Sequence, residues 1–228
     1  MTALLRLLKD LKSTARSMMS WAFLTVACTA VPAYAYNDAG LYAAAPPPNS
    51  VFVRIISDAD DAKPVDAVIG KAKYSAANGM ASPYKVVPAG KVSVTAAGGN
   101  RTVSFVSGNY YTVVVSGARG KPTINSIQDP KLDSKVKGLI TFYNLTGRSA
   151  LTLKTADGKA NVVERVASGQ VGARQVNSAT IGFAVFDGAN ALGKTAPQTV
   201  NRGNAYSSIV TDAGGRIKVI WVRNETSK

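Results

Sequence analysis

The 228-residue chain carries 27 Lys and Arg against 13 Asp and Glu, has no histidine and one cysteine, and has a net charge of +14. Without histidine, Ser-His-Asp and Cys-His catalysis are excluded, and zinc sites of the usual kinds lack their ligands. The positive balance points to an acidic partner, either a polyanionic polysaccharide, an anionic membrane surface or an acidic protein face, ahead of nucleic acid.

The N-terminus has the parts of a secretory signal peptide. Arg6, Lys9, Lys12 and Arg16 precede an apolar run from Met18 to Val31, followed by Pro32 and the small-residue pattern Ala33-Tyr34-Ala35. Cleavage is expected after Ala35. A lipoprotein signal would instead cut before Cys28, but Thr25 stands where a large aliphatic residue is usual. Without residues 1–35, 193 residues remain, with 23 basic and 12 acidic side chains, a net charge of +11 and no cysteine.

Residues 36–50 lack strand alternation, and Pro46, Pro47 and Pro48 favour an extended polyproline arm. Short strands with turn signals follow. They are expected at Val51–Ile56, Val65–Ile69 and Ser82–Val87, then around Val92 and Val94, around Val103 and Phe105, and at Tyr110–Val115. Residues 118–135 hold two prolines and mixed charges and read as a linker. Strands resume at Lys137–Asn144, Leu151–Leu153, Asn161–Val166, Thr180–Asp187, Asn204–Thr211 and Arg216–Val222. Apolar spacing near two and recurrent Gly and Pro argue against long helices.

The fold class is therefore all-β, with two small β-sandwich domains (jelly-roll or Ig-like) in tandem after the signal peptide. The expected boundaries are 1–35 signal peptide, 36–50 arm, 51–117 first sandwich, 118–135 linker and 136–228 second sandwich. The halves resemble one another: Val87–Val92 matches Val166–Val171, and Gly108-Asn109-Tyr110-Tyr111 matches Gly203-Asn204-Ala205-Tyr206. A single sandwich is the alternative.

The acidic cluster Asp58, Asp60, Asp61 and Asp66 lacks a regular calcium-loop spacing and reads as a solvated loop. No facing carboxylate pair and no phosphate-binding loop stand out, so intrinsic catalysis and a cofactor are not expected. By strand parity, Tyr111 and Trp221 belong to cores, while Tyr84 and Tyr110 are less determined. The residues best placed to touch an anionic polymer or partner are Arg54, Lys85, Lys91, Arg101, Tyr110, Lys154, Arg174, Arg202 and Lys218.

Several stretches resemble the AlgF family of periplasmic alginate O-acetylation proteins. These are Gly40-Leu41-Tyr42 followed by the prolines and Ser50–Arg54, the run Leu151–Lys159, and Ile220-Trp221-Val222. The resemblance implies a periplasmic, non-catalytic adaptor required for O-acetylation of an exopolysaccharide, alginate before cellulose. The implied partners are SGNH-like periplasmic acetyltransferases and a membrane O-acyltransferase, with the anionic polysaccharide a further candidate and nucleic acid not expected. A transient acetyl carrier or transferase component, or a polysaccharide-binding module, are the alternatives.

Overall fold

A computed structural model describes residues 46–59 and 63–227 of the chain. The expected signal peptide, Cys28, residues 36–45 of the expected arm, Asp60 and Asp61 lie outside these residues. In place of an extended polyproline segment, Pro47–Ser50 forms a tight turn closed by Ser50 N–H on the Pro47 carbonyl at 3.1 Å, with Asn49 at φ 57°.

The first half holds β1 (Ser50–Ala59), β2 (Val65–Ile69), β3 (Ala72–Ala76), β4 (Lys85–Pro88), β5 (Gly90–Ala96), β6 (Gly99–Phe105), β7 (Tyr110–Gly117) and β8 (Thr123–Asp129). The second holds β9 (Gly138–Leu145), β10 (Leu151–Thr155), β11 (Asn161–Val166), β12 (Gln170–Val176), β13 (Ala179–Ile181), β14 (Phe183–Asp187), β15 (Asn190–Lys194), β16 (Gln198–Val200), β17 (Ala205–Thr211) and β18 (Lys218–Arg223). The fold is all-β and forms two sandwiches. Residues 123–129, read from sequence as linker, are strand β8, paired along β7 from Tyr110↔Asp129 to Ser116↔Thr123. Pro122 and Pro130 stand outside the paired residues, where a missing N–H does no harm.

The halves repeat one topology. The sheets β4-β1-β7-β8 and β3-β2-β5-β6 of the first correspond to β12-β9-β17-β18 and β11-β10-β14-β15 of the second. The second adds the pair β13-β16. β1 runs parallel to β7, and β9 to β17. The equivalence extends to single hydrogen bonds. Gly108 N–H donates to the Ser50 carbonyl at 2.8 Å, and Gly203 N–H to that of Lys137 at 2.9 Å. Phe52 N–H meets Asn109 O at 3.0 Å, and Leu139 N–H meets Asn204 O at 2.9 Å. Both glycines have positive φ, 79° and 72°, which an L side chain would adopt only with strain.

The expected match of Gly108–Tyr111 with Gly203–Tyr206 is thus correct. The match of Val87–Val92 with Val166–Val171 is one strand out of step: the first turn joins β4 to β5, the second β11 to β12, and β12 is the topological equivalent of β4.

One tyrosine fixes the entry to each of the two strands β7 and β17. Val106 N–H donates to the Tyr111 hydroxyl at 3.0 Å, and Asn201 N–H to the Tyr206 hydroxyl at 3.1 Å. Each ties the loop five residues upstream to the start of its strand. Tyr111→Phe and Tyr206→Phe are each expected to cost about 1 kcal/mol, because a loop N–H loses its acceptor. The double variant should lose the sum, since the sites share no partner; urea midpoints measured on all three variants test this.

Burial separates outer from inner sheets. β2 and β5 alternate buried and exposed residues, as expected for a sheet with one wet face. β1 and β17 are buried at every residue, and β9 at all but its last. One face of each inner sheet packs on its own outer sheet. Val51, Val53, Ile55, Val113 and Val115 do so in the first half, and Ile140, Phe142, Tyr206 and Val210 in the second. The opposite faces of the two inner sheets pack on each other, through Phe52, Tyr84, Tyr110, Leu132, Leu139 and Ala205 at one end and Ile56, Tyr143 and Ile209 at the other. The described sheets thus form a four-layer stack.

The C-terminal residues strap the halves together. Tyr84 N–H donates to Glu225 O at 2.7 Å, and Ser227 N–H to Tyr84 O at 2.8 Å. These bonds make a one-residue parallel bridge between Tyr84 and Thr226.

Candidate functional site: a buried arginine junction and a basic surface

The densest polar chemistry of the described residues lies between the two inner sheets. Arg54 projects from the middle of β1 and is 1% exposed. Its Nε donates to Thr112 Oγ1 at 2.9 Å and its Nη1 to Asn224 Oδ1 at 2.8 Å. Nη2 donates to the Tyr143 hydroxyl at 2.9 Å and to Ser207 Oγ at 2.8 Å. The guanidinium lies over the Tyr84 ring, 4.6 Å from its centroid, and 5.4 Å from that of Tyr143.

Asp129, at the end of β8, supplies the negative charge. Its Oδ2 accepts from the Tyr84 hydroxyl at 2.7 Å and from Thr112 Oγ1 at 2.8 Å, and its Oδ1 from the Tyr143 hydroxyl at 2.6 Å. Arg54, Tyr84, Thr112 and Asp129 come from the first half, and Tyr143, Ser207 and Asn224 from the second. Strand register pairs the positions across the repeat. Arg54 corresponds to Thr141, Thr112 to Ser207, and Asp129 to Asn224. Thr141 joins the same network through Ser207 at 2.8 Å.

The electrostatics follow from burial. Burial opposes the charge on Arg54, but the field of Tyr84, Tyr143 and Asp129 outweighs it and holds the guanidinium above its ordinary pKa. Burial, reinforced by Asp129, drives the Tyr84 hydroxyl well up and the Tyr143 hydroxyl to about 12. A second charged contact across the junction joins Asp58 to the Thr211 hydroxyl. Asp58 thus leaves the solvated loop that the sequence suggested. No group of three or more potential metal ligands occurs among the described residues.

The sequence-expected contact residues divide into three sets. Arg54 and Tyr110 are buried, so neither presents a surface to a polymer. Tyr110 stacks on Phe52 with ring centroids 4.9 Å apart. Both lie on the junction face of an inner sheet, where parity in a half-exposed strand would have put them in water. Lys85, Arg101, Lys154 and Arg174 are at the surface but engaged. Lys85 Nζ donates to Lys73 O at 2.6 Å. Arg101 bonds the Ile124 carbonyl and, at 2.9 Å, Asn125 Oδ1. Lys154 lies over Phe186 at 4.8 Å, and Arg174 Nη1 donates to Asn161 O at 2.7 Å. Lys91, Arg202 and Lys218 are exposed. The structure does not gather the nine into one site. Trp221 packs on the second core, stacked on Phe183 at 4.8 Å and 7°.

The fold and site define a class: a tandem β-sandwich protein whose most elaborate polar cluster joins its own halves. A family model described as "Alginate O-acetyl transferase AlgF" matches residues 22–207. The "Alginate biosynthesis protein AlgF" of Pseudomonas fluorescens is 33% identical over 192 residues, covering 84% of this chain and 86% of the relative. That of Pseudomonas aeruginosa is 31% identical over 188 residues, covering 82% and 84%. A solved structure of the C-terminal domain of AlgF from P. aeruginosa aligns with 39% of this chain and 99% of its own length, at 40% identity and a TM-score of 0.36. The chain belongs to the AlgF family.

Proposed function

We propose that this protein is a non-catalytic periplasmic adaptor for O-acetylation of an exopolysaccharide, alginate in the first place, holding components of the acetylation machinery together. The family supports the pathway, since its relatives are named alginate biosynthesis proteins and its model is named for O-acetyl transfer. The export signal expected from sequence supports the compartment, and no helix among the described residues is long and apolar enough to cross a membrane. The observation that carries the adaptor reading is the junction. Ser207 and Thr112, the hydroxyls held beside a cation, are completely buried and hydrogen-bonded within the network. That arrangement fixes two domains as one body and gives substrate no access to the nucleophiles, while strand edges and basic side chains are left outside.

Two measurements test it. The intact mass of the protein after exposure to an acetyl donor and the membrane acyltransferase is expected to be unchanged; a stoichiometric acetyl adduct on one residue would make it a carrier and end the adaptor reading. Affinity purification of the full chain, co-expressed with the pathway's periplasmic acetyltransferases, is expected to retain at least one of them. Recovery of none would refute the proposal.

A further inference from the structure

On one of its two open sides, each sandwich sets the free edge strand of its inner sheet against that of its outer sheet. In the first half these are β4 and β3, in the second β12 and β11, and among the described residues each pairs on one flank only. A cation spans the seam in both halves. Lys85 on β4 donates to the carbonyl of Lys73 on β3 at 2.6 Å. Arg174 on β12 donates to the carbonyl of Asn161 on β11 at 2.7 Å.

Register makes these the same positions of the repeat. Lys85 lies opposite Val53 and Arg174 opposite Ile140, which are equivalent residues of β1 and β9. Lys73 lies opposite Val68 and Asn161 opposite Lys154, the penultimate residues of β2 and β10. The residue types differ between the halves, Lys and Lys in the first against Arg and Asn in the second, yet the bond recurs.

Beside each latch is a slot with an apolar floor. In the second half it measures ≈ 370 Å³, floored by Ile140, Phe183 and Val200 and rimmed by Lys137 and Arg174. At Gly172 a side chain would run into Val163 and Val166, at 2.6 and 2.8 Å, so the sheets close there and the slot opens beyond it. In the first half the equivalent slot measures ≈ 440 Å³, floored by Ile69, Val87 and Val92 and rimmed by Lys71 and Lys91. No Asp or Glu lines either slot.

We infer that the seam of the second half is a docking site for an extended acidic segment of a partner protein, added as a strand to the free edge of β11 or β12. An unpaired strand edge supplies backbone donors and acceptors, and an apolar slot takes alternate side chains of an added strand. Two cations and no carboxylate line the slot, so it selects acidic residues where the added strand meets Lys137 and Arg174, while Glu164 of β11 is held by Asn161 Nδ2 outside the lining. The latch makes docking an exchange. A carboxylate of the incoming strand draws the Arg174 guanidinium away from Asn161 O. A backbone N–H of the same strand then takes over that carbonyl. Until then the latch caps an edge open to unwanted pairing. The inference rests on the adaptor reading for the need of a partner and adds where and by what chemistry that partner binds.

The test uses the full chain, isotope-labelled, and a blocked peptide of about ten residues alternating Asp and Val. The expected result is amide shifts confined to β11, β12 and the neighbouring slot, with affinity falling about tenfold in Arg174→Glu and in Lys137→Glu and with rising salt. A Lys-Val peptide should not bind. No shifts at millimolar peptide, equal binding of the Lys-Val peptide, or unchanged affinity in both variants would overturn the inference. So would an oligouronate that occupies the same residues as tightly as the peptide. Arg174 and Lys137 are exposed, and unchanged melting temperatures confirm that the variants fold. Co-purification separates the two readings. An acetyltransferase retained equally by wild type and Arg174→Glu removes the seam and leaves the adaptor; one retained by neither removes the adaptor.

Discussion

Arg54→Ala is expected to destabilise the protein by about 3–5 kcal/mol, the usual cost of removing one partner from a buried charge pair. The loss is large because the vacated network cannot reach water. Asp129 stays buried, held by three hydroxyls but without its cation. Asn224, Ser207 and Tyr143 lose a donor at once. Arg54→Lys should recover only a fraction, since an ammonium cannot reproduce four directed bonds from one planar fork. Replacing both charges, as in Arg54→Met with Asp129→Leu, should be less damaging than Arg54→Ala alone, because no buried charge is left unpaired. Urea denaturation followed by circular dichroism and by tryptophan fluorescence measures all of this. The two probes should coincide in the wild type and separate in Arg54→Ala, because Trp221 reports the second sandwich alone once the junction is broken. A loss below about 1 kcal/mol would mean that the junction is held by its apolar ends and not by the arginine.

Alkaline pH attacks the same place from the other side. The folded state keeps Tyr143 protonated up to about 12 and Tyr84 well above its ordinary value, whereas an unfolded tyrosine titrates near 10. A raised pKa means that the fold favours the protonated form. This stability is fully present below about pH 10, and is lost as pH rises through the folded value. Each such tyrosine removes at most about 1.4 kcal/mol per pH unit in that window, so Tyr143 alone accounts for about 2 kcal/mol by pH 12. Urea midpoints should be flat from pH 8 to 10 and fall steeply above it, with tyrosinate absorbance at 295 nm rising in step with unfolding. Tyr143→Phe should start from lower stability and show a shallower fall. A wild-type midpoint unchanged to pH 12 would contradict the buried, hydrogen-bonded hydroxyls.

The comparison of sequence with structure turns on which strands touch water. Where one face is wet, alternation is visible: Val65–Ile69 has the bounds expected of it, and Lys91 alternates outward from Val92. Where both faces are dry, position is legible but orientation is not. Ser50–Ala59 reads as an apolar run, and nothing in a single strand says which side a lone arginine takes. The signal that could have found it was the run itself. A strand too apolar to have a wet face leaves its one cation nowhere to go but into a buried partnership. Strands β3, β12, β15 and β16 are not legible from sequence because they are short or because Ala, Gly and Gln give weak alternation. β8 was hidden by flanking prolines and charges, although Ile124 and Ile127 lie among polar residues in it. Asp129 lies in the same segment, so a linker reading of residues 118–135 also hides the anion of the junction.

The strap at Tyr84 has a temporal consequence. A chain emerges N-terminus first, so residues 50–129 are available long before Glu225, Thr226 and Ser227. The bonds that Glu225 and Ser227 make with Tyr84 close a loop of about 140 residues, with Ser227 and Tyr84 separated by 143 positions, a contact order that delays completion. Throughout that interval the ring of Tyr84, the Arg54 guanidinium and the apolar face around them have no cover from the second half. The early half of this molecule therefore spends its youth as an unfinished surface, exposed to whatever surrounds the emerging chain.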